Sequence, residues 1–325
     1  IFQDNTYWGV TGTLNWRTSL GTITAIASHR VTDVDFESLV ATFYQGEKGP
    51  QNQDSLEIRL ASDENRPLRY LFGGFFLDEK VHVQQVNEQG TGLSNSSINL
   101  HNRTLAAFGQ LTYAITDTLR ISGGIRYNSD DKSSNSPRYT IPNYPFSTTS
   151  LRDRPVPGAG NFVGTVDKQR TFESVTWKGG VEFDAAPDSL LYANVGTGFK
   201  AGGFSYGPPG GIAYEPEHVT SYVIGSKNRF FGRRLQLNVE AYYLQYKDQQ
   251  VQFFATLPGL GNFSVTQNVA KSTIKGVEFD AIALITDATR LTLSGQFQDT
   301  SYDSYNYFTV NDPRNTQTCP VTVVT

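Results

Sequence analysis

The chain has 325 residues, of which 38% are hydrophobic and 18% are charged, and its formal net charge is −4. The negative balance gives no electrostatic basis for binding nucleic acid, and no apolar run approaches the roughly 20 residues of a transmembrane helix. A soluble all-β protein and a transmembrane β-barrel both remain compatible with these values, because only alternate strand residues of a barrel face lipid.

From the N-terminus onward, strand-like segments come in pairs. Short linkers with turn residues join the strands of a pair, at 18–21, 63–67, 115–118, 185–189, 228–233 and 285–289. Long polar linkers separate successive pairs, at 36–53, 80–102, 130–169, 204–215, 248–266 and from 303 onward. Reversals that are alternately tight and long are typical of outer-membrane β-barrels. The pattern therefore predicts about twelve antiparallel strands in an all-β, up-and-down transmembrane barrel.

The strand segments alternate in polarity. In 119–127, for example, the even positions are polar or glycine, and the odd positions other than Gly123 are apolar or aromatic. A soluble sandwich would bury such an apolar face, whereas a barrel would turn it to lipid, so alternation alone leaves both folds open.

Strand length and loop asymmetry favour the barrel. The segments 69–83, 171–184, 235–249 and 274–285 are longer than the usual five or six residues of soluble strands. They are long enough to cross a bilayer at a tilt, which takes about 9–11 residues. A sandwich distributes long and short linkers between its two ends without strict alternation, whereas here every second linker is long.

Six motifs occur along the chain, namely FGQLTY at 108–113, GGIRY at 123–127, LLYANVGTGFKAGGF at 190–204, YEPE at 214–217, SYVIGSK at 221–227 and NVAKSTIKGVEF at 268–279. Together they resemble strands of the TonB-dependent outer-membrane receptors, such as siderophore receptors. The resemblance spans about residues 53–300. Val223 departs from the pattern, since the family often has Glu there.

The resemblance implies a barrel of twenty-two strands with an N-terminal plug domain. We therefore expect residues 1–325 to be one partial barrel domain from the middle of the barrel, with the plug domain absent from this chain. Twelve strands alone would leave unpaired edges in the membrane.

The same resemblance implies a function in the outer membrane of a Gram-negative bacterium. The protein would bind and import a bulky, scarce solute, with a ferric siderophore as the favoured case. Its partners would be the TonB protein, through the missing N-terminal segment, the iron chelate or other bulky ligand, and the lipid and lipopolysaccharide of the membrane.

Two sets of residues are candidates for ligand binding. The cationic residues of the polar strand face are Arg126, Lys178 and Lys200, and the aromatic residues of the long linkers are Tyr139, Tyr144, Phe146, Tyr206, Tyr214 and Phe254. Convergent aromatic rings with a few polar groups are common in ligand sites. Alternatively, the charges hydrate the wall and meet the plug, and the rings form membrane girdles or pack within loops.

Other activities find little support in the sequence. The four histidines lack metal-ligand spacing, and no cofactor motif is present. Gly203 to Gly207 matches G-x-S-x-G around Ser205, but Pro208 and Pro209 follow where an esterase would begin a helix. We therefore predict no enzyme. A passive channel, constricted by an inward fold of 130–169, and a structural barrel in a surface assembly remain alternatives.

Overall fold

The computed structural model describes residues 2–40, 43–89, 92–142, 160–205, 210–257 and 261–305. Across these ranges no helix has the length and apolar character needed to cross a membrane. The described residues form fifteen strands, with the bounds β1 (Phe2–Gln3), β2 (Thr6–Thr18), β3 (Gly21–Val40), β4 (Phe43–Ala61), β5 (Leu68–Gln89), β6 (Gly92–Ala114), β7 (Leu119–Pro142), β8 (Asn161–Ala186), β9 (Ser189–Lys200), β10 (Gly203–Ser205), β11 (Ile212–Tyr214), β12 (Glu217–Phe230), β13 (Leu235–Leu257), β14 (Gly261–Thr286) and β15 (Thr289–Tyr305).

Thirteen of these strands form one antiparallel sheet. Each long strand pairs with the next long strand along the chain. The short strands β10 and β11 form a separate hairpin, so β9 pairs with β12. Twelve strands of the sheet have 12 or more residues, which confirms the predicted number. Within the described residues β2 and β15 each pair on one side only, so the sheet is open.

The short turns are where the sequence predicts them, but four of the long linkers are largely strand. For example, β3 runs to Val40 and β4 resumes at Phe43, across a segment expected to be a loop from 36 to 53. The segments 80–102, 130–169 and 248–266 are likewise shortened by long strands. The reason is that a hairpin satisfies its backbone groups through its partner strand whatever its side chains are. Where both faces of a strand meet water, both carry polar residues and the period-2 alternation disappears. A polarity pattern then does not reveal the strand.

The two faces of the sheet differ in chemistry. On β7 and β8 the register places Arg120 opposite Glu182 and Gly124 opposite Lys178, so polar side chains share one face. We call this face the inner wall and the opposite one the outward face. The outward face carries the apolar side chains, which are exposed: Ile125, Val175 and Ile224 are 61%, 56% and 64% exposed. A soluble sandwich would bury them in a core, so the described residues do not form one.

The outward face changes from apolar to charged residues between two adjacent rows. Cross-strand neighbours Asp54, Asp78, Arg103 and Asp131 form one row on β4 to β7. The next outward-facing row on β4 to β6, toward the short turns, is Leu56, Phe76 and Leu105. This step from apolar to charged residues is expected where a barrel leaves the hydrocarbon region. We call the two ends of the sheet the short-turn end and the long-hairpin end.

Candidate functional site

Arg126 is held on the inner wall by side chains from three strands. Its guanidinium carbon lies 5.8 Å from the ring centroid of Phe75 on β5 and 5.4 Å from that of Phe108 on β6. Its Nε donates a 2.7 Å hydrogen bond to Oδ1 of buried Asn128, two residues along β7. The rings and the amide together fix the plane of the guanidinium.

A glycine makes room for this arrangement. Gly73 on β5 lies opposite Phe108, and a Cβ at Gly73 would approach Phe108 Cζ to 2.4 Å and the carbonyl oxygen of Ile58 to 2.8 Å. Only a residue without a side chain allows the Phe108 ring to lie across β5. The position of the ring, and through it that of Arg126, therefore depends on Gly73.

The positive charge of Arg126 is not neutralised by an ion pair among the described residues. A planar guanidinium in this state can bind a carboxylate or another flat anionic group through two parallel hydrogen bonds. The surrounding rings offer apolar surface to the rest of such a ligand.

Two further predicted cations lie on the same face. Lys178 is an inner-wall residue of β8, and its stem passes between Gly124 and Gly196 of the neighbouring strands. Lys200 lies at the end of β9, again on the inner wall by register. We call Arg126, Lys178 and Lys200 the basic wall. The structure thus brings the three predicted cations to one face, while their role in binding stays a prediction.

A hairpin folds onto the inner wall near the basic wall. This folded-in hairpin consists of β10 and β11. The glycines next to these strands, Gly202 and Gly211, lie against Phe172 and Val166, which share the face of Lys178 on β8. Ile212 of the hairpin and Phe253 of β13 both pack against buried Val265 of β14. The sequence predicts an irregular long linker at 204–215, and the passive-channel alternative places an inward fold at 130–169, part of which lies outside the described residues. Among the described residues, β10 and β11 fold onto the inner wall.

Polar contacts hold the folded-in hairpin in place. Ser205 Oγ donates to the carbonyl oxygen of Thr266 at 3.2 Å and accepts from its amide at 2.9 Å. Beyond the hairpin, Arg170 forms two 2.7 Å hydrogen bonds with the Glu215 carboxylate. Ser205 is therefore buried and bonded to the backbone of Thr266. It lies in β10 and not at the strand-to-helix turn that carries an esterase nucleophile.

Lys132 is a functional candidate that the sequence analysis missed. Its Nζ donates a 2.8 Å hydrogen bond to the carbonyl oxygen of Gly202, so it joins β7 to the base of the folded-in hairpin. Burial lowers the pKa of the Lys132 ammonium. The residue lies in a polar stretch without alternation, where no sequence signal marks it.

The structure describes the side chains of two of the six predicted aromatic residues, Tyr139 and Tyr214. Tyr139 forms an edge-to-face pair with Phe162 across β7 and β8, with ring centroids 5.6 Å apart. Tyr214 is packed over Gly203 within the folded-in hairpin, and burial raises the pKa of its phenol. Tyr144, Phe146 and Tyr206 lie outside the described residues, and so does the side chain of Phe254.

The inner wall near the short-turn end has the opposite charge. A cavity of about 630 Å³ there is lined by Glu240, Glu278 and Asp280, which we call the acidic wall, and by the ammonium of Lys227. Tyr192 donates a 2.5 Å hydrogen bond to Glu240, and Lys227 Nζ lies 5.6 Å from the Tyr192 ring centroid. Strand alternation places these carboxylates on the polar face, but only the register of β13 and β14 brings them together.

Metal binding is not indicated by the part of the chain that the structure describes, since no three His, Cys, Asp or Glu side chains are grouped as a metal ion would need.

The sequence matches the family model described as "TonB dependent receptor-like, beta-barrel" over residues 1–320. Curated relatives include the pesticin receptors of Yersinia pestis and Yersinia enterocolitica. Each is 26% identical over 235 residues, which is 71% of this chain and 31% of the relative. The chain thus spans about a third of the length of the curated relatives it matches.

Solved structures share the fold. The ferric yersiniabactin uptake receptor FyuA of Yersinia pestis superposes with a TM-score of 0.74 at 18% identity, over 93% of this chain and 43% of that one. The siderophore receptor PiuA of Acinetobacter baumannii gives 0.64 at 14% identity, over 94% and 48%. The copper transporter OprC gives 0.66 at 13% identity, over 93% and 47%. These likenesses confirm the predicted fold class, an up-and-down transmembrane β-barrel.

Proposed function

This chain belongs to the TonB-dependent receptor-like β-barrel family of the outer membrane, and from this premise we propose that its protein binds a bulky, scarce solute and imports it. We favour a ferric siderophore as that solute. The observation that carries the proposal is the family match over residues 1–320. The transport step itself belongs to the full-length protein.

The basic wall supports an anionic ligand. Arg126 offers an unneutralised guanidinium between two aromatic rings, and Lys178 lies near it on the same face. A ferric chelate is rich in oxygen donors and frequently carries negative charge, and such groups suit Arg and Lys. The rings of Phe75 and Phe108 would contact the apolar or aromatic parts of the chelator.

Energy coupling is the second part of the proposal. A plug domain elsewhere in the full-length protein would fill the barrel, and the TonB protein would remodel it after the ligand binds. The acidic wall would then meet the plug or the departing solute near the short-turn end, which faces the periplasm in barrels of this kind.

Uptake of labelled iron tests the proposal. The full-length gene would be expressed in a strain that makes no siderophore and lacks its own receptors, and accumulation of ⁵⁵Fe would be measured for a panel of chelates with and without TonB. We expect one chelate class to accumulate, and only with TonB. If calorimetry detects no binding of any iron chelate to the purified protein, the siderophore is rejected as the solute. The import of another solute would remain open.

A passive channel is the second candidate, and the folded-in hairpin favours it because an inward fold narrows a lumen. In this case the full-length protein would conduct ions in a planar bilayer without TonB. If a bilayer that contains the intact protein conducts no ions, and uptake depends on TonB, the passive channel is excluded.

A further inference from the structure

Neutral amide side chains fix both ends of the folded-in hairpin to the sheet. Gln250 of β13 donates 3.0 Å hydrogen bonds to the carbonyl oxygens of Ala201 and Glu215, which flank the hairpin in sequence. Asn268 of β14 bonds the amide of Glu215 at 2.7 Å and its carbonyl oxygen at 2.8 Å. Because these amide side chains carry no net charge, a charged ligand nearby has little effect on the bonds that they form.

The anchor on the opposite side carries a full charge. Lys132 of β7 donates a 2.8 Å hydrogen bond from Nζ to the carbonyl oxygen of Gly202. A Cβ at Gly202 would lie 2.3 Å from the carbonyl oxygen of Tyr214 and 2.4 Å from the ring of Phe172, so close packing fixes the place of this carbonyl. An ammonium has three N–H donors, and this bond uses one of them.

No carboxylate among the described residues forms an ion pair with Lys132. Glu79 and Asp130 attract its ammonium from a distance. Both carboxylates are occupied by neutral donors, since Asn102 bonds Glu79 at 2.9 Å and Thr104 bonds Asp130 at 2.5 Å. Lys132 therefore directs its charge at a backbone carbonyl, and it retains donors for a stronger partner.

A second unpaired ammonium acts on Lys132 from β9. Burial lowers the pKa of Lys132, and the like charge of Lys200 lowers it further. Lys200 is exposed on the inner wall and also lacks an ion pair among the described residues. A half-buried charge beside a like charge costs free energy. An anion that contacts both ammoniums would offset this cost, because it attracts each of them.

We propose that Lys132 and Lys200 together bind one anionic group of the solute, and that Lys132 keeps its bond to Gly202 in that complex, so that the anion fastens the folded-in hairpin to the inner wall. The inference rests on the proposed function, because the anion would be part of the imported solute. Binding of the anion and order in the hairpin are then thermodynamically linked, and each favours the other.

Amide hydrogen exchange of β10 and β11 in the purified full-length protein tests the linkage. The probes are citrate and pyrophosphate, and sodium chloride at equal ionic strength is the control for screening. We expect the two polyvalent anions to slow exchange about fivefold, and chloride to change it less than about 1.5-fold. If neither polyvalent anion slows exchange more than chloride does, the proposal is overturned.

Substitutions of Lys132 separate its charge from its packing. Lys132→Met keeps the apolar stem and removes the ammonium, so we expect it to abolish the response to citrate. Lys132→Arg restores a cation and should restore the response. The matched control is Lys168→Met, which removes another ammonium from the inner wall, on β8 opposite Ser134. A full response to citrate in Lys132→Met would overturn the role of Lys132.

Lys200→Met keeps the test decisive if Lys132→Met does not fold, since Lys200 is exposed. We expect Lys200→Met to reduce the response to citrate at least threefold, because one of the two cations is lost. An undiminished response would overturn the shared site. Heat-modifiability on gels reports whether each variant is folded.

The outcome is separate from that of the uptake experiment. If citrate slows exchange in β10 and β11 but no iron chelate is taken up, the anion site stands and the siderophore is rejected. If an iron chelate is taken up but no anion slows exchange, import stands and the linkage through Lys132 is overturned.

Discussion

The basic wall and the acidic wall lie on the same polar face, yet they differ in how charge is neutralised. Near the short-turn end, Arg120 is bound to Glu182 and Asp184, and Glu240 accepts a hydrogen bond from Tyr192. Toward the long hairpins, Arg126 is oriented by rings and an amide and meets no carboxylate among the described residues. Charges near the short-turn end are thus largely paired within the wall, whereas the charge of Arg126 is unpaired among the described residues, as the proposed binding of an anion requires.

Removing the guanidinium of Arg126 should have the largest effect on the affinity for the ligand. We expect Arg126→Ala in the full-length protein to weaken binding of its iron chelate by about 2 kcal/mol, or roughly thirtyfold in Kd, because a charged hydrogen-bond donor is lost. Isothermal titration measures this. The matched control is Arg59→Ala, an inner-wall arginine already paired with Glu57 at 3.2 Å. An equal loss in both variants would mean that general charge, rather than the oriented Arg126, governs binding.

The support of Arg126 can be tested without touching its charge. Gly73→Ala should displace the Phe108 ring, since the new methyl group overlaps it, at a cost of about 1–3 kcal/mol in stability. We expect about a tenfold loss of chelate affinity in a folded barrel. The control is Gly123→Ala, where an added Cβ meets no atom closer than 4.0 Å. Parental affinity in Gly73→Ala would show that the rings do not orient the guanidinium.

The folded-in hairpin borders the basic wall, so loosening the hairpin should lower chelate affinity less than the substitutions of Arg126 and Gly73 do. Ser205→Ala leaves the amide and carbonyl of Thr266 without their partner, which costs about 1–3 kcal/mol locally. We expect amide hydrogen exchange in 203–214 to accelerate about tenfold and affinity to fall only a few-fold. Exposed Ser301 provides the control as Ser301→Ala. Unchanged exchange would mean that apolar packing alone holds the hairpin.

The acidic wall should contribute least to capture of the ligand. Tyr192→Phe removes the hydrogen bond to Glu240 and should lower the free energy of unfolding by about 1 kcal/mol. We expect chelate affinity to stay within twofold of the parent, because the acidic wall lies closer to the short turns than the basic wall does. Urea unfolding and titration calorimetry measure the two quantities. A large affinity loss would erase the distinction between the two walls.

The basic wall was predictable as a set of cations, but not as a site. Alternation in 119–127 and 175–184 places Arg126 and Lys178 on a polar face, since the period of a strand is local information. The contacts of Arg126 with Phe75 and Phe108 come from residues 51 and 18 positions earlier in the chain. No local pattern contains such contacts, because they depend on the register of three strands.

The short turns, the two faces of the strands and their approximate number follow from local sequence, because turn chemistry and period-2 polarity are properties of neighbouring residues. The family follows from motifs that are likewise local. The three-dimensional structure adds what no local pattern contains. Polar linkers such as 36–53 are paired strands, and β10 and β11 fold onto the inner wall. These features arise from backbone pairing and side-chain packing between distant segments, for which a polar stretch carries no signal.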